Sequence, residues 1–423
     1  MSAALILAGL AALLVVGVPI AFALGGLGAA LLLGAGFSLL MVPQALYSTA
    51  DSFVLLAVPL FLLMSNVLLK AGVGHDLFAA VQSWVGHWPG GLAVATILSC
   101  ALFAAISGSS VATAATIGTV ALPEMLSRGY ERRFTLGLLA AGGTLGILIP
   151  PSIPMIVYGV VTEESIIDLF LAGIGPGVLL TLLFVLLSIL WARFGSAYRP
   201  TARAGWPERG RATLRALPAL GLAALILGGL YGGVFTPTEA SGVGFALALV
   251  LVLAQRRLPW AALKEAVAES MLTTVTIMLI LAGAAVFGRA ITLYRIPQDI
   301  SAAIAATFDT AAPFIVVVCL VLLLMGCFLE ALSMLLIMMP VLDPSLAVLG
   351  IDPIWFGIVF VLMIECALIT PPVGLNLFVI QAVARSDIGE VAAGVWPFVA
   401  CMLLTVVLIW FFPDIALFVP FQL

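Results

Sequence analysis

GGTLGILIPPSIPMIVYG, at 142–159, and LITPPVGLNLFVI, at 368–380, each place a double proline inside an otherwise apolar run. A proline within a helix removes one backbone hydrogen bond and clashes with the preceding turn, at about 3 kcal/mol or more. It also drives the residue before it out of helical geometry. Each stretch therefore reads as a helix broken at Pro150-Pro151 or at Pro371-Pro372. A break in a segment this apolar is tolerated only where protein covers it or where it lines a cavity. A structural kink explains one such site equally well, but two sites at matching places favour binding.

Composition sets the solvent around these breaks. The 423 residues are 64% hydrophobic and 9% charged, against about 25% charged in a soluble domain. Such a chain is expected to be an all-α polytopic membrane protein. At about 20 apolar residues per span there is room for roughly ten to twelve crossings. Expected helices run near 3–22, 26–42, 53–70, 134–162, 166–193, 216–234, 238–255, 268–290, 354–384 and 394–412. Two further apolar stretches, 91–126 and 311–342, carry small or polar residues at their middles and read as re-entrant hairpins.

Charge placement orients the chain. With Arg128, Arg132 and Arg133 in the cytoplasm, 14 of the 16 basic residues fall on that side, and only Arg289 and Arg295 lie outside. The positive-inside rule favours this threading, with both termini periplasmic. No basic n-region precedes the first apolar run, which is read as a retained helix. The polar link 194–215 then separates a first half, 1–193, from a second, 216–423.

The halves resemble each other. Gly108 precedes Pro123 by 15 residues in SGSSVATAATIGTVALPEM, and Gly326 precedes Pro340 by 14 in MGCFLEALSMLLIMMPVLDP. A double proline follows each. Threaded through the membrane, the first hairpin opens from the cytoplasm and the second from the periplasm. The expected architecture is an inverted repeat of five helices plus one hairpin, as in many secondary transporters.

Chemistry-bearing residues gather at these breaks. Ser107, Gly108, Ser109 and Ser110 serve close helix packing, or within a hairpin expose carbonyls and hydroxyls that suit a small alkali cation. A broken helix ends in free carbonyls, which suit a cation, and restarts with free N–H groups, which suit a carboxylate. Glu330, near the second hairpin tip, and Glu365, inside an apolar helix, are costly in lipid and so mark function by default; protonated packing roles are the competing reading. Both are expected near the second cation site or the pathway. Glu239, in YGGVFTPTEA, reads as a helix cap, Arg289 as an interfacial anchor or gate, and His75 and His87 as loop residues.

Several classes are excluded by what is missing. There is no phosphate loop of the G-x-x-x-x-G-K-[ST] type and no H-E-x-x-H. No histidine stands in an expected span to serve as a base for an intramembrane hydrolase. The five cysteines sit singly, without metal-ligand spacing. A channel and an autonomous sodium:anion symporter remain as alternatives.

SGSSVATAATIGTVALPEM, GILIPPSIPMIVYG, YGGVFTPTEA, GCFLEALSM and ECALITPPVGLNLFV together resemble the large membrane subunit of tripartite ATP-independent periplasmic (TRAP) transporters. The resemblance implies an ion-transporter-superfamily elevator fold in a bacterial inner membrane and uptake of organic anions driven by Na+. It implies a separate small four-helix membrane subunit and a periplasmic substrate-binding protein as partners. It places one Na+ site at Ser107, Gly108, Ser109, Ser110, Gly143, Thr144, Gly146 and Pro150. A second falls at Gly326, Cys327, Thr370, Pro371 and Gly374. Substrate or pathway roles fall to Ser109, Pro151, Ser152, Glu330, Glu365, Pro372 and Asn376. Where this family often carries Asp, this chain has Glu330.

Overall fold

Glycine and proline set most of the helix ends in the computed structural model, which describes residues 3–194, 198–199, 201–308 and 310–422. The first half runs α1 (Ala3–Val15), α2 (Ile20–Gly34), α3 (Met41–Ala50), a 3-10 turn at Phe53–Leu56, α4 (Ala57–Lys70), α5 (Val73–Val85), α6 (Gly91–Ser107), α7 (Ser110–Ser127), α8 (Arg132–Leu148), α9 (Ile153–Thr162) and α10 (Ile166–Phe194). The second runs α11 (Trp206–Tyr231), α12 (Pro237–Ala254), α13 (Trp260–Leu293), α14 (Ile296–Thr307), α15 (Ala311–Met325), α16 (Ala331–Val348), α17 (Pro353–Ile369), α18 (Leu375–Ala384), α19 (Ile388–Phe411) and α20 (Asp414–Gln422). Among the described residues seven helices are long and apolar enough to cross a membrane, or eight if the bent pair α8 and α9 counts as one span. The other apolar helices run 10–17 residues, short of a full span, which is why the crossings expected from length alone exceed this number.

Both double prolines interrupt their helices. The α8 and α9 axes differ by 42°, and α17 and α18 are separated by 370–374. α6 and α7 pack on each other across a short turn, as the first hairpin expected. α15 and α16 are joined by the short segment 326–330 but pack on α17 and on α14 rather than along each other, and α16 is itself long and apolar enough to cross a membrane.

Several boundaries depart from expectation. The first apolar run is two helices, because Gly17 takes φ +90° and Pro19, which has no N–H, follows it. The run expected at 26–42 ends at Gly34, before Gly36 at φ +74°. The polar link is shorter than 194–215: α11 starts at Trp206, with Pro207 in its first turn and Glu208 facing its N-terminal dipole. His75 lies in helix α5 and not in a loop. The short helices α3, α5, α14 and α20 were not expected. Glu239 does cap: Thr236 accepts from the Glu239 N–H while the Glu239 carboxylate accepts from the Thr236 N–H at 2.9 Å.

Two groups of helices form. In the first, α13 packs on α2, α3 and α4, and α12 on α4. Its outer face is greasy: Met271, Val275 and Leu279 of α13 are exposed, as lipid-facing residues should be. In the second, α6, α7, α17 and α19 surround α8, and α10 packs on α6 and α19. Every residue of α8 from Phe134 to Leu148 is buried, as is every residue of α17 from Ile354 to Ile369. A helix apolar on all sides belongs in an interior.

Without a hydrophobic force between helices in lipid, close packing of small residues carries association. Gly28 of α2 lies against the Phe287 backbone of α13, and Gly137 of α8 lies against the Gly394 carbonyl of α19. A Cβ at Gly137 would overlap that carbonyl, whereas one at Gly210 meets nothing within 4 Å. Gly137→Ala should therefore cost about 1–3 kcal/mol by overpacking and lower the melting temperature in detergent, while Gly210→Ala leaves it unchanged or slightly raised. Equal melting of the two variants would contradict this packing.

Candidate functional site

The first hairpin tip is built by three hydroxyls and one glycine. α6 ends at Ser107, and Gly108 takes the left-handed conformation at φ +60°. Ser109 then caps α7, its Oγ accepting from the Ala112 N–H at 3.4 Å. The Ser107 and Thr113 hydroxyls are 2.8 Å apart, and Thr113 donates to the Ser109 carbonyl at 2.8 Å. Gly108 also has a steric reason: a Cβ there would sit 2.6 Å from the Pro151 carbonyl oxygen.

The glycine face of α8 receives this tip. A Cβ at Gly146 would lie 2.5 Å from the Ser109 carbonyl oxygen and 2.6 Å from Thr113 Oγ1. At Gly143 it would meet Ala114 at 2.6 Å and the Ser110 carbonyl at 3.1 Å. The spacing of three residues puts both glycines on one helix face. Backbone oxygens of Ser109, Ser110 and Pro151 thus gather where α8 ends in its own free carbonyls. Pro150 and Pro151 form the break, joined by a cis bond. Ser152 caps α9 by accepting from the Met155 N–H at 3.4 Å. Thr144 stands apart from this cluster, since its hydroxyl donates to the Ala141 carbonyl of its own helix at 2.7 Å.

The second tip is looser. Gly326 packs on Ala367 of α17 so closely that a Cβ would overlap it. Cys327 donates to the Leu323 carbonyl and Thr370 to the Cys366 carbonyl at 2.7 Å, which leaves the Thr370 oxygen free to accept. Pro371 and Pro372, again joined by a cis bond, lead to Gly374 at φ +53°. Glu330 occupies the N-cap position of α16 without a side-chain capping bond.

Glu365 departs from expectation. It faces the first tip: Ser110 Oγ donates to Glu365 Oε2 at 3.4 Å and accepts from Asn376 Nδ2 at 2.5 Å. All three residues are buried, so α7, α17 and α18 meet in one polar knot. Asn376 and Ser110 lie 266 positions apart.

Both tips face one cavity of about 570 Å³, whose walls include Ser109 and Ser110, Glu330, and Asn66 and Thr273 from the other helix group. Thr113, Asn66 and Thr273 were missed by sequence reasoning, and a hydroxyl one helical turn after Ser109 was the available signal for the first. No Arg or Lys is among the described residues lining this cavity. Glu269, at its rim, pairs with Lys70 at 2.9 Å.

A second cavity, of about 990 Å³, lies between the same two groups and is lined by Arg289, Glu163 and Asp343. Arg289 donates to the Met41 carbonyl at 3.3 Å and to Ser48 at 3.2 Å. Nearby Glu164 is raised above the ordinary carboxylate range by burial and then by Asp352, Asp343 and Asp168. His87 lies in the turn after α5, as expected.

Fold and cavity define a multi-pass membrane protein of transporter architecture. The solved structure of the YdaH transporter from Alcanivorax borkumensis is similar, with a TM-score of 0.60 at 18% identity over 90% of this chain and 88% of that one. The chain belongs to the DctM component family of tripartite ATP-independent periplasmic transporters, whose family profile matches residues 7–415. It is 39% identical to the C4-dicarboxylate TRAP transporter large permease protein DctM of Pseudomonas aeruginosa, over 89% of this chain and 88% of that protein. It is 36% identical to the ectoine/5-hydroxyectoine large permease protein UehC of Ruegeria pomeroyi, over 86% and 85%. It is a permease subunit and not an enzyme.

The knot at Ser110 has a measurable consequence. Ser110→Ala strips Glu365 and Asn376 of a shared partner and should cost about 1–3 kcal/mol, read as earlier thermal unfolding. Ser127→Ala, at an exposed hydroxyl, should change stability by less than about 0.5 kcal/mol. A silent Ser110→Ala would remove the knot from the account.

Proposed function

We propose that this chain is the transport subunit of a sodium-driven, binding-protein-dependent importer of organic anions. One observation carries the reading. The turn after α6, the turn after α15 and two interrupted helices converge on a cavity with no Arg or Lys among its described lining residues. An anion there needs positive charge, and the candidate sources are bound cations and the free N–H groups where α9 and α18 restart.

The first Na+ would be held by backbone oxygens of Ser109 and Ser110 against Gly143 and Gly146, near the Pro150-Pro151 break. The second would lie between Gly326 and the Thr370–Gly374 break. Na+ supplies charge compensation when bound. The chain's own residues position carbonyls, cover the broken backbone and close the cavity to lipid. Coupling follows if Na+ prefers the loaded state, because a ligand shifts an equilibrium only by its differential affinity.

The transport movement we infer is an elevator: the group around α8 and α17, carrying both tips, slides against the group around α13 and α4. The cavities of about 570 and 990 Å³ both lie between these groups, as alternate access routes would. The inverted-repeat division at the polar link, the bacterial inner membrane and periplasmic termini complete the topology. The proposed partners are a small four-helix membrane subunit and a periplasmic binding protein that delivers the cargo. The relatives named for C4-dicarboxylates and for ectoine both handle carboxylate-bearing solutes, and that class is proposed here.

Uptake into proteoliposomes holding both membrane subunits tests this. It should require an inward sodium gradient and the cognate binding protein. Gly146→Ala, which intrudes on the Ser109 carbonyl, should raise the half-saturating sodium concentration at least about tenfold, or about 1.4 kcal/mol. Uptake at full rate without the binding protein would favour an autonomous symporter. Sodium-independent uptake would overturn the reading.

A further inference from the structure

The end of the molecule opposite Arg289 carries a cavity that transport does not use. It measures about 690 Å³ and opens between α5, the end of α7, the link before α11 and the first turns of α11. Arg128, Arg203, Arg211 and Arg215 line it, with His75, against two acids, Asp76 and Glu208. Asp76 is already paired with Arg257, and Arg128 with Glu124 at 3.1 Å. That leaves Arg203, Arg211 and Arg215 facing Glu208. Among the described residues these three arginines have no carboxylate within ion-pair distance. An excess of positive charge inside one cavity is a field waiting for an anion.

The cavity is built and not a chance gap in a loose link. Arg199 donates its N–H to the Arg128 carbonyl at 2.8 Å, and the Tyr198 hydroxyl accepts from the Gly90 N–H at 2.7 Å. Trp84 donates to Thr213 at 2.9 Å, pinning α5 to α11. Behind the wall, Arg209 is 5% exposed, its guanidinium 5.2 Å from the Trp84 ring and 5.5 Å from the Trp206 ring. Its Nε and Nη2 have no hydrogen-bond partner, and neither does the buried Thr201 hydroxyl on the cavity wall.

Its height in the membrane identifies the anion. The side chains of Trp84, Trp88 and Trp206 are exposed around it, and such tryptophans favour the headgroup level. Helix α11 is polar from Trp206 to Arg215 and apolar beyond. Basic pockets between helices at this level suit acidic headgroups. The positive-inside rule explains basic residues at this end but not three unpaired arginines gathered round one pinned cavity.

We propose that this cavity is a binding site for the phosphate headgroup of an anionic phospholipid, held by Arg203, Arg211 and Arg215. Guanidinium groups match phosphate oxygens in pairs. The acyl chains would lie along the exposed apolar face of α11, where Leu214 and Leu217 are exposed.

The test is native mass spectrometry of the full chain released from detergent, titrated with phosphatidylglycerol, with phosphatidylcholine, or with inorganic phosphate. Phosphatidylglycerol should bind as a retained adduct and raise the melting temperature, and the other two should do neither. The triple variant R203Q/R211Q/R215Q should weaken phosphatidylglycerol binding on the order of a hundredfold, from about 1 kcal/mol per basic residue. R203K/R211K/R215K, which keeps the charge but loses the paired guanidinium geometry, should bind more weakly than the unaltered chain and more tightly than the glutamine variant. A control variant, R133Q/R193Q/K264Q, neutralises basic residues at the same end outside the cavity and should bind as the unaltered chain does. Equal weakening in the two neutralised variants would overturn the site, as would undiminished binding in the first. Protection by inorganic phosphate at matched concentration would overturn the lipid assignment.

Discussion

Backbone polar groups in a bilayer must find partners inside the protein, because the hydrocarbon offers none. Most of this structure follows from that constraint once two helices have been broken by double prolines. Each break leaves carbonyls and N–H groups without a partner in their own helix. The first hairpin tip is pressed onto the first break, with Gly108 against the Pro151 carbonyl and Gly146 against the Ser109 carbonyl. The second tip packs Gly326 on the residue that precedes the second break by four positions, Ala367. Glycine is required at these contacts because the nearest partners are main-chain carbonyls or the Ala367 Cβ, which cannot move aside.

The same constraint explains why function gathers at the breaks. Elsewhere the interior of the second helix group is mostly apolar, with a few bonds between helices such as Tyr158 to the Pro353 carbonyl and Trp355 to the Ile409 carbonyl. At the breaks, hard oxygen atoms and free N–H groups are concentrated in a dry setting, where electrostatic interactions are stronger than in water. Under the proposed function, a cavity with no Lys or Arg among its described lining residues would handle an anion with accompanying cations. The Ser110, Glu365 and Asn376 knot adds a link between the chain's two halves, so a change at the first tip is felt at the second interrupted helix.

The breaks and the first hairpin were legible because a proline's missing N–H acts locally, whatever the tertiary context. Glu239 was legible for the same reason: a cap is a short-range device. The short helices were not. α5 does carry a periodic face, with Val73, Leu77, Phe78 and Ala80 buried, but its neighbours WVGHWPGG read as a turn. The Gly17 and Pro19 break was present in the sequence and was overridden by the length of the apolar run around it. The placement of Glu365 could not have been read at all, since its partner Ser110 is 255 positions away. Thr144 was named among the cation ligands through the resemblance alone, and its hydroxyl donates to the Ala141 carbonyl of its own helix.

The direct test of the account is a high-resolution map of the chain in lipid nanodiscs, recorded once in sodium and once in choline. The account predicts a compact density coordinated by main-chain oxygens of the first tip and the end of α8, present in sodium and absent in choline. A site that looks the same in both salts, with those oxygens bonded only to protein, would contradict it.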